Sequence, residues 1–272
     1  MSNPLVSIII PNYNNSKFIE QCITSVLNQT YINLEVIVVD DLSTDNSRDI
    51  IEKISMNDSR VKKVFLNKNG GVSHARNVGL NYANGTYLTC LDGDDYYFSS
   101  TKIQNEINVL LNSKNDLLIS FSKIIYVDED GNQIISKNER PIIKNEGRIF
   151  NKLIFEIRSK YIPRDYLYSK KIFLMTLGYD ENRNLFEDFD YLLNLSLFVK
   201  FHYTNEPGTA YRQKSYGLSK RTKTEISATK NEIIKKYLFK INFLKRIYVC
   251  LIKIAIKVAI YLKHKIIRNL KQ

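Results

Sequence analysis

The sequence predicts an α/β protein built on a mainly parallel sheet with helices on both faces. Three observations carry that expectation. Strand-like and helix-like patterns alternate through the first part of the chain. The strand segments are continuous β-branched runs, as expected of strands buried on both faces. Several polar, ligand-competent segments each fall where one of those strands ends, and open parallel sheets bind their ligands there.

Residues 5–10 form the first run, and Pro11-Asn12-Tyr13-Asn14-Asn15 ends it. Ser16 is the expected cap of a helix whose apolar residues Phe18, Ile19, Cys22, Ile23, Val26 and Leu27 recur at helical spacing. Residues 34–39 are the second strand, closed by Asp40-Asp41; Ser43 or Thr44 then opens a helix through Ile50, Ile51 and Ile54. Residues 61–66 are the third. Asn69-Gly70-Gly71 turns the chain into a helix carrying Val72, Ala75, Val78, Gly79 and Tyr82. The fourth strand, residues 86–91, is stopped by Asp92-Gly93-Asp94-Asp95. Beyond it the pattern is less regular. Residues 103–111 read as a helix. Residues 117–127 and the chain from 133 read as a hairpin around Asp128-Glu129-Asp130-Gly131-Asn132. Short helices are expected at 147–155 and 169–175, with a turn at 177–181. Phe186-Glu187-Asp188 leads into a helix with Leu192, Leu193, Leu195 and Leu197. Residues 201–204 form a strand, and Ala210-Tyr211-Arg212 another.

The chain has 272 residues, 44% apolar and 25% charged, enough for a sizeable core in one large or two small domains. The formal charge of +12 is unevenly placed. From Lys230 onward twelve lysines and arginines face a single acid, Glu232. The front of the molecule is close to neutral and has no need of nucleic acid. Cys22, Cys90 and Cys250 show neither a disulfide framework nor zinc spacing, which suits a reducing compartment. His74, His202 and His264 form no ligand cluster. The first apolar run is too short for a signal peptide, and no long uncharged apolar stretch suits a membrane span.

Asp92, Asp94 and Asp95 crowd three carboxylates around one glycine, a cluster that repels itself unless a cation sits in it. Oxygen-only ligands suit Mg²⁺ or Mn²⁺, and phosphate groups would complete the coordination. Tyr13, Asp41, the Gly70-Gly71 turn and Asp92 converge with it on one crevice, which reads as a site for a metal-bound nucleotide diphosphate. Each residue has a plainer reading: Asp95 and Asp188 as helix caps, Asp41 as support for its turn, Arg76 as a solvated helix residue, Tyr13 as packing. Their ordered combination is what favours the site.

The series Pro11-Asn12-Tyr13-Asn14, Val39-Asp40-Asp41, Gly71-Val72-Ser73-His74-Ala75-Arg76-Asn77, Leu91 to Asp95, Gly178-Tyr179-Asp180-Glu181 and Glu187-Asp188 resembles the family 2 inverting glycosyltransferases of the GT-A fold. The resemblance covers roughly the first 215 residues. It implies that Pro11, Tyr13 and Asp41 bind the nucleotide base and ribose, and that Arg76 and Asn77 lie near the donor. It implies Asp92 and Asp94, with Asp95 beside them, as the Mn²⁺ or Mg²⁺ and donor site. It makes Asp188 the catalytic base with Glu187 beside it. The family usually has a histidine soon after the tyrosine-arginine pair. Here Gln213-Lys214 follows Tyr211-Arg212, leaving Arg212 or Lys214 as candidates for the diphosphate. The implied reaction moves a sugar from a nucleotide sugar, a UDP-sugar, to a hydroxyl of a lipid-linked glycan in bacterial surface polysaccharide assembly. The metal would stabilise the departing diphosphate, and a carboxylate on the opposite face would take the acceptor proton. A rival, a sugar-nucleotide nucleotidyltransferase, calls for a glycine-rich signature after the first strand, where Pro11-Asn12-Tyr13 stands. A nucleic-acid-binding protein would use the basic tail but not the carboxylate-lined crevice.

The sequence divides into a transferase domain at 1–220 and a basic helical tail at 221–272. In the tail Arg246, Lys253, Lys257 and His264 fall near one stripe beside a wide apolar face. That pattern suits a helix lying in an anionic membrane surface, and so an enzyme held at the inner face of the cell membrane. Packing on its own domain or on a second copy of the chain, as a homo-oligomer, is the alternative.

Overall fold

The computed structural model describes residues 3–134, 146–154, 165–183, 185–214 and 223–238. Strands β1 (Val6–Asn12), β2 (Leu34–Asp40), β3 (Val61–Phe65) and β4 (Tyr87–Cys90) alternate with helices α1 (Ile19–Leu27), α2 (Ser47–Asn57) and α3 (Val72–Tyr82). Then come β5 (Tyr96–Tyr97), α4 (Lys102–Asn112), β6 (Leu118–Val127), α5 (Phe150–Ile154), β7 (Leu167–Ser169), α6 (Lys170–Thr176), α7 (Glu187–Ser196), β8 (Lys200–Arg212) and α8 (Lys223–Leu238). They build one sheet in the order β3-β2-β1-β4-β7-β6-β8-β5. The first four strands are parallel, as the sequence predicts. Beyond β4 the sheet is mixed: β7 runs antiparallel to β4 and β6, and β5 antiparallel to β8.

The unbroken apolar runs serve two cores at once. Ile9, Ile37, Val39 and Leu88 point to one face, with residues of α3, α5, α6, α7 and α8. Ile8, Ile10, Val36 and Val38 point to the other, against α1, α2 and α4. Side chains alternate along a strand, so a strand covered on both faces must be apolar at every position. Burial pushes the Cys90 thiol up to about 12 and the Cys22 thiol well above its ordinary value, so both are protonated core residues.

Local departures from the expected elements have physical causes. Ser16 does not cap α1; its backbone N–H donates to Asp45 Oδ2. Nor does Ser43 cap α2; its hydroxyl donates to Asp40 and accepts the Asn14 backbone N–H. Both are spent joining the loops after β1 and β2. The turn-like Asn205-Glu206-Pro207-Gly208 does not split the last strand. β8 runs through it, and the irregularity is taken up as register shifts against β6. The hairpin after β6 is present as a bridge between Val127 and Gln133, with Gly131 at φ 90°.

Helix α8 packs on the body of the protein. Ile233, Ile234 and Tyr237 are buried beside α7. The tail beyond Leu238, with its basic stripe, lies outside the described residues. No helix among the described residues is long and apolar enough to cross a membrane.

Candidate active site

The site is built from loops at the carboxyl ends of β1, β2 and β4. Paired registers carry Pro11 level with Val39 and Asn12 level with Asp40, so both loops leave the sheet together. Asp40 is fully buried and collects Asn12 Nδ2 at 2.8 Å, the Ser43 hydroxyl at 2.5 Å and Arg48 Nε at 2.6 Å. The sequence points to Asp41, yet Asp40 is the hub that fixes the crevice floor. Asp41 is 3% exposed, and its two oxygens accept the Gly70 and Gly71 backbone N–H groups at 2.8 and 2.7 Å. Gly71 sits at φ 85°, a left-handed conformation suited to glycine, and this lets the turn offer both donors. Tyr13 is 49% exposed at the rim, while Pro11 is buried beneath it.

The carboxylates of the Asp92-Gly93-Asp94-Asp95 loop do not repel one another freely, because protein cations already balance them. Arg76, on α3, is buried and joins two acids: its guanidinium donates to Asp92 Oδ1 at 2.5 Å and to Glu187 Oε1 at 2.9 Å. Burial opposes its charge, but Asp92 and Glu187 outweigh that and raise its pKa well above the ordinary value. Lys214 Nζ lies 2.8 Å from Asp94 Oδ2. Asp95 is 2% exposed and accepts the Arg212 backbone N–H at 2.8 Å. The Arg212 side chain is fully engaged with the Asp94, Asp128 and Glu129 carbonyls and with Gln21. Of the two cations offered for the diphosphate, Arg212 is therefore architectural, and Lys214 faces the loop. Asp40 stood in the motif series and Lys214 among the candidates for the diphosphate, but the role of Asp40 as a hub and the pairing of Lys214 with Asp94 could not be read from spacing.

A second wall comes from the segment that leads into α7. Asn77 donates to the Tyr179 carbonyl and to Glu181 Oε1, and accepts the Tyr179 N–H at 2.8 Å. Asn77 thus pins the Gly178 turn to α3. His74 Nδ1 meets Glu181 Oε2 at 2.9 Å. The bond from Asn77 is the main cause holding the Glu181 carboxyl below its ordinary value, with His74 adding to it. This places Glu187 and half-buried Asp188 at the start of α7, opposite the β4 loop across Arg76. Asp188 Oδ1 accepts the Phe189 N–H at 2.7 Å. The structure therefore gathers Asp92, Arg76, Glu187 and Asp188 closely, with Asp94 beyond them on the same loop.

Residues 7–173 match the family model described as Glycosyl transferase family 2. The chain belongs to glycosyl transferase family 2. A Haemophilus influenzae relative named as an uncharacterized glycosyltransferase is 43% identical over 134 residues, 49% of this chain and 52% of its own length. Escherichia coli WfaP, named UDP-Glc:alpha-D-GlcNAc-diphosphoundecaprenol beta-1,3-glucosyltransferase, is 43% identical over 126 residues, 46% of this chain and 48% of its own. The chondroitin synthase of Pasteurella multocida is 29% identical over 85% of this chain but 23% of its own length. The chain thus spans about half the length of these relatives or less. Among solved structures, S. aureus TarS 1-349 in complex with UDP-GlcNAc superposes with a TM-score of 0.68 at 21% identity, over 90% of this chain and 69% of that chain. That likeness establishes the GT-A fold.

Family 2 members generally use a divalent cation. Mg²⁺ and Mn²⁺ are commonly held through one or two carboxylates, with phosphate oxygens and water completing the shell. Asp92 and Asp94 keep 21% and 31% of their side chains exposed and supply hard oxygens of that kind. Asn12 Oδ1, a buried oxygen without a protein partner, lies against Gly93 between them. No group of three metal-ligating side chains occurs among the described residues. The donor set fits a hard cation that shares its ligands with a diphosphate. Asp95 is buried, and its Oδ1 is bonded to the backbone of β8.

Proposed function

We propose that this family 2 protein is a metal-dependent, inverting glycosyltransferase that moves a sugar from a UDP-sugar to a hydroxyl of a lipid-linked glycan. The observation that carries the reading is Arg76, whose one guanidinium ties Asp92 of the β4 loop to Glu187 of the acidic pair. A donor held by one wall and a base offered by the other can then face each other across one crevice.

In this reading Pro11 and Tyr13 form the floor and rim of the nucleotide pocket. Asp41 acts through the Gly70-Gly71 turn that it orders. Asp94 and Asp92 would hold Mg²⁺ or Mn²⁺, which as a Lewis acid supplies positive charge to the departing diphosphate. Arg76 adds a fixed cation beside them and keeps Asp92 in place. Asp188, on the far side, takes the proton of the attacking hydroxyl, so attack comes from the face opposite the leaving group and the anomeric centre inverts. No covalent intermediate is needed. Support for the donor comes from TarS, captured with UDP and UDP-GlcNAc. Support for the acceptor comes from WfaP, whose name specifies a diphosphoundecaprenol-linked sugar. The basic run after α8 would suit an enzyme working at an anionic membrane surface in polysaccharide assembly.

A screen of nucleotide sugars for turnover with Mn²⁺ or Mg²⁺ tests the reading. Turnover of a UDP-sugar should need the metal. Asp94→Asn should weaken metal-dependent UDP binding in calorimetry. Equal UDP affinity with and without Mn²⁺, in both proteins, would remove the metal from the mechanism.

A further inference from the structure

We propose that helix α8 is a strap that positions the acidic pair at the start of α7, with Lys236 as its principal anchor. The proposal rests on the reading of Glu187 and Asp188 as catalytic acids.

The residue just before that pair is held in an unfavourable conformation. Phe186 has φ 56°, left-handed space that a bulky side chain rarely enters. Such strain persists only where surrounding structure enforces it. Helix α8 packs against this strained residue. Lys230 Nζ lies over the rings of Phe186 and Phe189, 5.5 and 5.4 Å from their centres.

One turn into α7 stands Asp190, 3% exposed. It belongs to no motif of the sequence. Lys236 Nζ lies 3.2 and 3.1 Å from its two oxygens, and the Tyr237 hydroxyl donates to it at 3.2 Å. Arg183 Nε stands 3.8 Å away. A buried carboxylate without such partners is strongly destabilising, so the first turns of α7 keep this position only while α8 is docked. Lys236 also reaches Asp180 Oδ2 at 2.9 Å, and Arg183 reaches Glu232 Oε1 at 3.5 Å. Ile233 and Ile234 bury the face of α8 beneath these ions.

The segment carrying the acids is therefore clamped on two sides. On one side α3 holds it through Asn77 to Tyr179 and Glu181, and through Arg76 to Glu187. On the other side α8 holds it through Lys236 to Asp180 and Asp190. The α3 clamp also serves the donor loop through Asp92. Among the described residues, the ion pairs of Lys236 and Glu232 go to Asp180, Asp190 and Arg183, none of them placed in the donor pocket. Lys236 is thus a positioning residue, acting on Asp188 through Asp190 and the turn at Asp180.

The test uses the full chain with Lys236→Met and Lys236→Arg. It reads amide hydrogen exchange, calorimetric affinity for UDP with Mn²⁺, and kcat and KM with UDP-GlcNAc. In Lys236→Met, exchange should quicken over residues 186–191 and stay unchanged over 72–82. UDP affinity should stay near that of the wild type, while kcat falls by about ten- to a hundredfold. Lys236→Arg should restore most of the loss. Unchanged exchange over 186–191 would overturn the proposal. So would quickened exchange with full kcat, or a UDP affinity that falls as far as kcat. If Lys236→Met does not fold, Tyr237→Phe removes one bond to Asp190 and the same readouts apply. A wild-type protein that turns over no nucleotide sugar would count against glycosyl transfer, and the exchange measurements would still decide the strap.

Discussion

Arg76 shows most clearly how one side chain sets the chemistry. It is buried between Asp92 and Glu187 and stacks its guanidinium 5.1 Å from the Tyr179 ring. A lysine has one ammonium and no planar fork, so Arg76→Lys should fail to hold both acids. Leaving a buried carboxylate unpaired costs about 3–5 kcal/mol, so chemical denaturation should show a stability loss of up to that order and thermal unfolding a lower melting temperature. An unshifted melt would make Arg76 a bystander. Assignment of the base separates just as cleanly. Asp188→Asn keeps the bond to the Phe189 N–H but accepts no proton. Transfer should drop by about 10² to 10⁴-fold with UDP binding intact. A large loss in Glu187→Gln alone would move the role one residue upstream. Glu187 also carries a pH signature. Burial pushes its carboxyl up, Arg76 opposes this and Asp188 adds to it; the net direction is up. A proton held more tightly in the folded state stabilises fully below the ordinary glutamate range, and that contribution fades as pH rises through the raised value. Glu187→Gln should lose this part of the dependence, so parallel melting-temperature profiles for the two proteins would refute it. The acidic residues themselves were legible in the sequence. Arg76 and Lys214 were named by the resemblance as neighbours of the donor, but not the acids they meet, and Lys236 looked like any solvated base until the fold brought it to Asp190.

Among the elements, the strands and helices up to β4 follow directly from apolar periodicity. The last ones do not. Asn205-Glu206-Pro207-Gly208 carries every mark of a turn, but β6 lies alongside and its register shifts accommodate the extra length, so β8 stays whole. Helix α8 reads from sequence as the opening of a basic tail. In the structure its buried face belongs to the body of the protein. This sets where a truncation can fall. Removing residues 239–272 keeps Lys236 and Tyr237 on Asp190, and UDP binding and melting temperature should stay close to wild type. Removing residues from 223 onward exposes the pocket of Ile233, Ile234 and Tyr237. Truncating one such side chain costs about 2–5 kcal/mol, so loss of the helix should melt or aggregate the protein. Equal melting temperatures for the two truncations would show that α8 contributes nothing to the fold.

For the whole molecule, the charge asymmetry makes its own prediction. The run from 239 onward holds most of the excess of cations. Its removal should release the protein from anionic vesicles, with less effect at high salt where binding is already weak. Unchanged vesicle binding would leave docking on protein as the tail's role. The sequence by itself determined the sheet of four parallel strands, the loops that close it and the acidic residues at its edge. It could do so because burial on two faces and turn chemistry are local, periodic properties of a chain. Only the tertiary structure decided which cation meets which acid, that Asp40 rather than Asp41 is the hub, and that α8 holds the start of α7. Those pairings join residues such as Arg76 and Glu187, or Asp190 and Lys236, that are far apart in sequence. No periodicity encodes them; they exist because packing brings their elements together and a buried charge must find its partner.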